Sequence, residues 1–549
     1  MEPGLSISRR DLLKLGGGVA GAATIPGGRA PAAAQTPKRG GVFRLRGEDP
    51  VGFDPHLTVA YKTMLNLSFT HSRLVKVKAG SGVPPGTLPL EPDLAEAWTQ
   101  PSETTYVFTL RKGVRWHPKP PVNGRELTAD DVKYTYERFL GTRANPNRGS
   151  LEAIDRIEAL DRHTVRFTLK EPYAWFVDAL AGTSTWIVPR EAVEKFGDLR
   201  RPEACVGTGP WMLERYEPNV RLSFVRNPNY FVPGLPYVDG VEVTIDDDPS
   251  SRLAAWLAGK YDFAPESGMV VRRLDLDIVR PRKPGLQTAE HTVGFGGITW
   301  MKLDQEPFRD VRVRRALAQA SNWREVLETN AWSQGHGVPN PAVPAAFREW
   351  SIPLAELPPE SRRLYEHNTA EAKRLLREAG LPNGFRSPLD TTSGYGPDWL
   401  DAVQVALKNW KSAGIEIDLK LKEYGAYIST TIFGKFDRMA NGLFGLWLVP
   451  DSYLYNYHVP GQILNASGVN DPKLTDMIRL QRRTFDVRKR RDIIYDIQRH
   501  CAQQTYHLYG PSVSAVAAWE PYVKNFGPNI GFDYGGRLMV AWLDQGSAK

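Results

Sequence analysis

Residues 398–414 read DWLDAVQVALKNWKSAG, and IEIDLKL follows without a gap. Leu400, Val403, Leu407 and Trp410 recur at helical spacing, Gly414 stops the helix, and the next seven residues alternate apolar and polar. A helix joined through one glycine to a strand is the connection of a sheet covered by helices, so this half of the chain is expected to be α/β. The segment before it follows the same plan. In NTAEAKRLLREAGLP, Asn368 or Thr369 caps a helix that buries Ala372, Leu375, Leu376 and Ala379 and ends at Gly380, with Pro382 beyond.

The earlier part has a different pattern. TYVFTLR (105–111) places Tyr106, Phe108 and Leu110 on one face, and TVRFTLK (164–170) does the same with Val165, Phe167 and Leu169 after a turn at Asp161–His163. Between these strands Thr128 can cap a helix while Asp131 reaches back to the free amide, with Val132, Tyr136, Phe139 and Leu140 on one side. No internal repeat or low-complexity segment interrupts the chain.

The first 34 residues look like an address rather than a fold. SRRDLLK is followed by an apolar, Gly/Ala-rich run from Leu15 to Ile25 and by small residues ending at Ala34, the expected cleavage point. That run is too short to cross a bilayer core of roughly 30 Å. Arg9 and Arg10 side by side match a twin-arginine signal, and no cysteine near the cleavage point argues for a lipid anchor. The expectation is a periplasmic protein whose precursor engages the twin-arginine machinery. Such export carries folded cargo, which admits either a cofactor enzyme or a binding protein.

Removal of that segment leaves about 515 residues, too many for one core and enough for two or three domains. Arg9, Arg10, Lys14 and Arg29 against Glu2 and Asp11 leave +6 of the net +8 to the rest. This excess is scattered apart from clusters such as Arg488–Arg491, which read as a solvated helix face, so no nucleic-acid partner is expected. Cys205 and Cys501 can pair only if their Cα atoms approach within about 6 Å, which the sequence leaves open. The chain has no Cys-x-x-Cys, His-Glu-x-x-His, Gly-x-Ser-x-Gly or phosphate loop. His500 and His507 lie seven apart, about two helical turns, a spacing that could share a helix face but more often marks satisfied surface or core residues, and GFGGI (294–298) reads as a strand approached closely by something else rather than a dinucleotide fingerprint. These patterns give no positive reason to assign a cofactor, a metal or a catalytic residue.

The ordered blocks FDP (53–55), LEPDLAEAW (90–98), YVFTLRKGVRWH (106–117), NGRELTADDVKYTYER (123–138), VGTGPW (206–211), RNPNYF (226–231), LPYVDGV (235–241) and PFRDVRVRRAL (307–317) resemble the extracytoplasmic solute-binding proteins of ABC importers, family 5, the peptide/nickel/oligosaccharide-binding type. The resemblance implies an α/β, two-lobed periplasmic binding protein fold with an additional inserted domain. Lobe I would comprise 35–74, 184–286 and 505–549, the inserted domain 75–183 and lobe II 287–504, with the solute in the cleft between lobes. It further implies a monomer that closes on a peptide or related small solute and delivers it to an inner-membrane permease. A sugar or metal chelate is the alternative solute, and an exported hydrolase or redox enzyme the alternative class.

In peptide-binding members an aspartate a few residues after the loop tryptophan pairs with the peptide amine. Here that tryptophan is Trp447 and the third residue after it is Pro450, with Asp451 next. Asp451, if it lines the cleft, should meet a cation or donor; otherwise it merely starts a helix that includes Tyr453. Trp300, in GGITWMKLD, Tyr395, on a loop after a strand, and Asp49, before VGFDP, complete the candidate ligand-binding set of Asp49, Trp300, Tyr395, Trp447, Asp451 and Tyr453. Without the amine-binding aspartate, generic peptides are expected to bind weakly, with Trp447 and Trp300 stacking on the solute.

Overall fold

The computed structural model describes residues 36–544, apart from 265–271, 340, 446 and 532. Arg9, Arg10 and Ala34 lie outside the described residues. Two principal sheets form the two lobes, and each is assembled from distant pieces of chain.

In the first lobe the strand Val42–Gly47 runs parallel to Gly240–Ile245, which continues antiparallel to Arg221–Arg226 and then to Trp211–Glu217. In the second, Ile415–Lys422 and Phe385–Thr392 are parallel along their whole length. Met439–Phe444, Gly296–Met301 and His507–Tyr509 complete the five strands, so the last strand of this sheet comes from beyond residue 504. The helix Pro397–Ser412 returns the chain from Phe385–Thr392 to Ile415–Lys422, the α/β connection that the sequence pattern predicts. Asn368 caps Thr369–Glu378 by accepting from the Glu371 amide, while Ala372, Leu375 and Leu376 are buried and Gly380 reverses the chain at φ +82°.

A smaller four-stranded antiparallel sheet, ordered Ala95–Ser102, Thr105–Leu110, Thr164–Leu169, Ile154–Asp161, lies within the chain of the first lobe. Its alternation is as expected: Tyr106, Phe108, Leu110, Val165, Phe167 and Leu169 are all buried. The helix Ala129–Gly141 covers it, with Thr128 and Asp131 forming the capping box. A further sheet combines Phe263–Ala264, Ser512–Trp519 and Gln287–Thr292.

One reading changes, and two open ones are decided. Cys205 and Cys501 are both buried free thiols. Arg488–Arg491 is not wholly solvated, because Arg490 is buried with its guanidinium 4.2 Å from the Trp175 ring, joining the helix Val487–Gln504 to the segment after the small sheet. His500 ends on that helix beside Asp471 (2.7 Å), whereas His507 is on a strand, so the two do not share a helix face.

Candidate functional site

Strand ends place the polar wall. Gly47 and Ile245 are in register at the ends of two parallel strands, with Glu48 directly after the first and Asp247 two residues after the second, at the sheet edge where α/β proteins open clefts. Tyr61 and Lys62 enter from the helix Tyr61–Leu67 and Arg252 from Pro249–Leu257. The opposing wall comes from the second lobe: Ser393–Tyr395 follows the end of Phe385–Thr392, and Gly396, at φ +91°, turns the chain into the helix that carries Asp398 and Trp399. Between these walls lies a cavity of about 380 Å³. A second space of about 40 Å³, reaching Asn147, Tyr424 and Trp447, shares Tyr61, Tyr395 and Leu443 with it.

The polar wall is organised around Glu48. Arg46 Nη1 donates to its Oε1 at 2.7 Å, Lys62 Nζ approaches Oε2 at 2.9 Å, and the Tyr61 hydroxyl also donates to Oε2. Burial alone would raise the Glu48 pKa, but Arg46 and Lys62 outweigh it and hold the carboxyl at about 2. Arg46 reaches further to Asp247 at 2.8 Å and to the Asp246 carbonyl at 2.7 Å. This ion network is anionic at its centre and largely compensated by its own cations.

The opposite wall is aromatic. Tyr395 meets Trp399 with ring centres 5.0 Å apart, Tyr424 at 5.6 Å and Tyr427 at 5.9 Å. Trp323, Trp332 and Trp410 also line the larger cavity. In GFGGI the backbone is closely approached at Gly296, where a Cβ would press the Pro511 carbonyl at 3.2 Å, whereas one on Gly297 would make only ordinary contact with Trp399 at 3.6 Å. The close approach expected there is real, and it borders the cleft. Two polar atoms of residues lining the larger cavity are buried without a hydrogen-bond partner among the described residues, the Trp399 indole Nε1 and Asn441 Oδ1, as is the Tyr424 hydroxyl at the smaller one. Buried donors and acceptors are costly when unpaired, so a solute offering one acceptor and one donor matches this surface.

Of the six candidate residues, Tyr395 borders both spaces and Trp447 the smaller one, where its indole nitrogen is 3.4 Å from Asn147 Oδ1. The other four line neither. Trp300 is fully buried on Gly296–Met301, its ring 6.3 Å from Tyr457, because the inward side of that strand packs into the second-lobe core. Tyr453 is equally buried and donates to the Gly294 carbonyl. Asp49 is tied to the hairpin between Trp211–Glu217 and Arg221–Arg226, accepting from Tyr216 Oη at 3.0 Å and the Asn219 amide at 2.9 Å. Asp451 does start a helix, Pro450–His458, but it also accepts from Tyr173 Oη at 2.8 Å and from Gln481 Nε2, with Arg482 Nε at 3.6 Å. The cation and donors expected for a buried Asp451 are present, supplied by the protein itself and away from the cavities.

Sequence reasoning missed Arg46, Glu48, Lys62, Arg252 and Asp398. Glu48 stands beside Asp49, so a search that favoured residues just past strand ends stopped one position late. Among the described residues no three His, Cys, Asp or Glu side chains converge as a metal would require, and no helix is long and apolar enough to cross a membrane.

A cleft between two α/β lobes, polar on one side and aromatic on the other, is the architecture of a solute receptor. The family model for bacterial extracellular solute-binding proteins, family 5, matches residues 89–465, and the chain belongs to that family. Di/tripeptide-binding protein 1 of Pseudomonas aeruginosa (strain UCBPP-PA14) is 29% identical over 493 residues, covering 83% of this chain and 86% of that protein. The periplasmic binding protein DppA from Helicobacter pylori, solved with the peptide STSA, superposes with a TM-score of 0.80 at 23% identity, over 92% of this chain and 99% of that one. AgaA from A. tumefaciens R10, solved with agropinic acid, superposes with a TM-score of 0.77 at 23% identity, with the same coverage.

Proposed function

We propose that this chain is the substrate-binding component of an ABC importer for peptides or related small solutes, and that it works by closing its lobes on the solute and presenting the closed form to a permease. The observation that carries this reading is the cavity of about 380 Å³ whose walls come from both lobes. A ligand touching both walls stabilises the closed arrangement by its differential contacts, and no covalent step is required. The division into 35–74, 184–286 and 505–549 as lobe I, 75–183 as insert and 287–504 as lobe II belongs to this reading, with the exception that the strand His507–Tyr509 pairs into the second-lobe sheet; a monomeric state belongs to it too.

The relatives include receptors named for peptides and one solved with agropinic acid, so the solute class is the open choice. A solute other than a generic peptide is favoured by one feature: the third residue after Trp447 is Pro450, which offers no side-chain carboxylate to a peptide amine. Denaturing the purified protein and identifying released small molecules by mass spectrometry, followed by calorimetry with the identified compound, tests the reading. One stoichiometric solute is expected. Turnover of that compound with no saturable binding would overturn it.

Periplasmic location through the twin-arginine route rests on Arg9 and Arg10. Replacing both with lysine should leave precursor in the cytoplasm, and unchanged export would refute the route.

A further inference from the structure

We infer that the solute of this cleft is an amphiphile, with an unbranched apolar tail that runs beneath the helix Pro397–Ser412 into the second lobe while its polar head stays between the lobes. The inference rests on the receptor reading above and adds to it the chemical class of the ligand.

The larger cavity does not stop at the cleft. On the helix it is lined by Trp399, Ala402, Val403, Ala406, Leu407 and Trp410, which recur at helical spacing and so form one face. From Trp399 to Trp410 that face is about 16 Å long at the helical rise per residue. The sheet faces it through Leu389, set back from the end of Phe385–Thr392, and through Leu508 on His507–Tyr509. Trp323 and Val326, on the helix Trp323–Thr329, also line the space. Leu389, Leu508, Trp323, Val326 and Trp410 are all members of the second-lobe hydrophobic core, so the cavity reaches that core.

The burial of the helix reports the same space. Asp401, Gln404, Lys408 and Lys411 form its exposed face. Ala402, Ala406 and Leu407 lie on the face packed against the core, yet they are only half-buried. A helix laid on a sheet normally fills this layer, because protein interiors hold few voids larger than a water molecule. The short side chains of Ala402 and Ala406 leave it open.

Polarity changes along the cavity. Arg46, Glu48, Lys62, Asp247 and Arg252 stand on the first-lobe wall and Asp398 at the start of the helix, whereas the lining further along the helix is apolar. Trp332 and Trp410 present ring surface only, since the first hydrogen-bonds to Asp398 and the second donates to Ser321 Oγ at 2.9 Å. On the sheet Asn441 donates to Thr299 Oγ1 at 3.1 Å, which leaves Asn441 Oδ1 and the Trp399 N–H as one acceptor and one donor. A single amide answers both, and the apolar space beyond suits an alkyl chain, because apolar cavities stay dry and accept apolar guests. Such a tail touches the second lobe alone. The head then draws the lobes together, and the tail sets affinity.

Calorimetry with N-acetyl-, N-butyryl-, N-hexanoyl- and N-octanoylglycine tests this, because the four share one head and one amide and differ only in the tail. Affinity should rise about fourfold per methylene along the series. Ala406→Phe fills the space from the helix and should flatten the series. Its urea midpoint should not fall, since the ring enters a void. Ala402→Leu makes the same test with a smaller side chain, in case the first variant folds poorly. Affinity independent of tail length, no binding of octanoylglycine at about 1 mM, or an unchanged series in both variants would overturn the inference. Lowered midpoints in both variants would also overturn it, by marking the space as ordinary core. So would a natural solute, released on denaturation, that lacks an alkyl tail. That last result leaves the receptor reading intact, whereas the absence of any bound or saturable solute would count against both.

Discussion

Removing the Asp451 carboxylate should damage stability far more than solute binding. Asp451 is fully buried and holds Tyr173, Gln481 and Arg482 together, joining the segment after the small sheet to two second-lobe helices. The Arg482 guanidinium lies 4.4 Å from the Tyr173 ring and 3.7 Å from that of Tyr455, with its side chain 4% exposed. Burial acts to lower the Arg482 pKa, but Asp451 and Tyr173 outweigh it and hold it above its ordinary value. Asp451→Ala strands that cation and unpairs two further buried groups. Breaking one partner of a buried pair costs about 3–5 kcal/mol. Asp451→Asn, which keeps an acceptor for Tyr173, should cost about half as much. Urea unfolding followed by tryptophan fluorescence measures this, provided the slope of the transition is unchanged between variants. The double variant Asp451→Ala/Arg482→Met should recover part of the loss, since the stranded charge is then gone. A loss under about 1 kcal/mol for Asp451→Ala, or a double variant worse than the single one, would refute the account of this cluster.

Other consequences follow from the walls of the cleft. The Glu48 pKa is depressed to about 2, so its contribution to stability is present above the ordinary carboxylate value near 4.5 and is lost as pH falls toward 2. The shift corresponds to roughly 3 kcal/mol, and Glu48→Gln should be less stable at neutral pH but lose less across that window; identical acid limbs would contradict this. Tyr395→Ala should weaken solute affinity by roughly ten- to a hundredfold with little change in unfolding midpoint, because the ring borders both cavities. Trp300→Ala should instead destabilise by about 3–5 kcal/mol, because that ring is core, and calorimetry paired with urea titration separates the two outcomes.

Local signals carried the sequence reading far where a residue's role depends on near neighbours. The capping box at Thr128 and Asp131, the inward sides of Thr105–Leu110 and Thr164–Leu169, and the helix-to-strand passage through Gly414 are all short-range patterns. Tyr395 was legible for a related reason, since a loop directly after a sheet strand opens on the cleft. Trp300 was not, because Ile298, Thr299, Trp300 and Met301 are all buried and a strand covered on both sides shows no alternation to tell core from cleft. Asp451 depends on Tyr173 and Gln481, which are distant in sequence, and Asp49 on a hairpin turn at Asn219. The same distance hides the charged cluster, whose members Glu48, Arg252 and Asp398 meet only when three separate segments fold together.

The central claim is that the two lobes close on a solute. Small-angle X-ray scattering of the purified protein, stripped of solute and then saturated with the compound released on denaturation, measures it directly. The account predicts a smaller radius of gyration in the saturated sample and reversal when the solute is removed. An identical radius in both states, with binding confirmed by calorimetry, would contradict it.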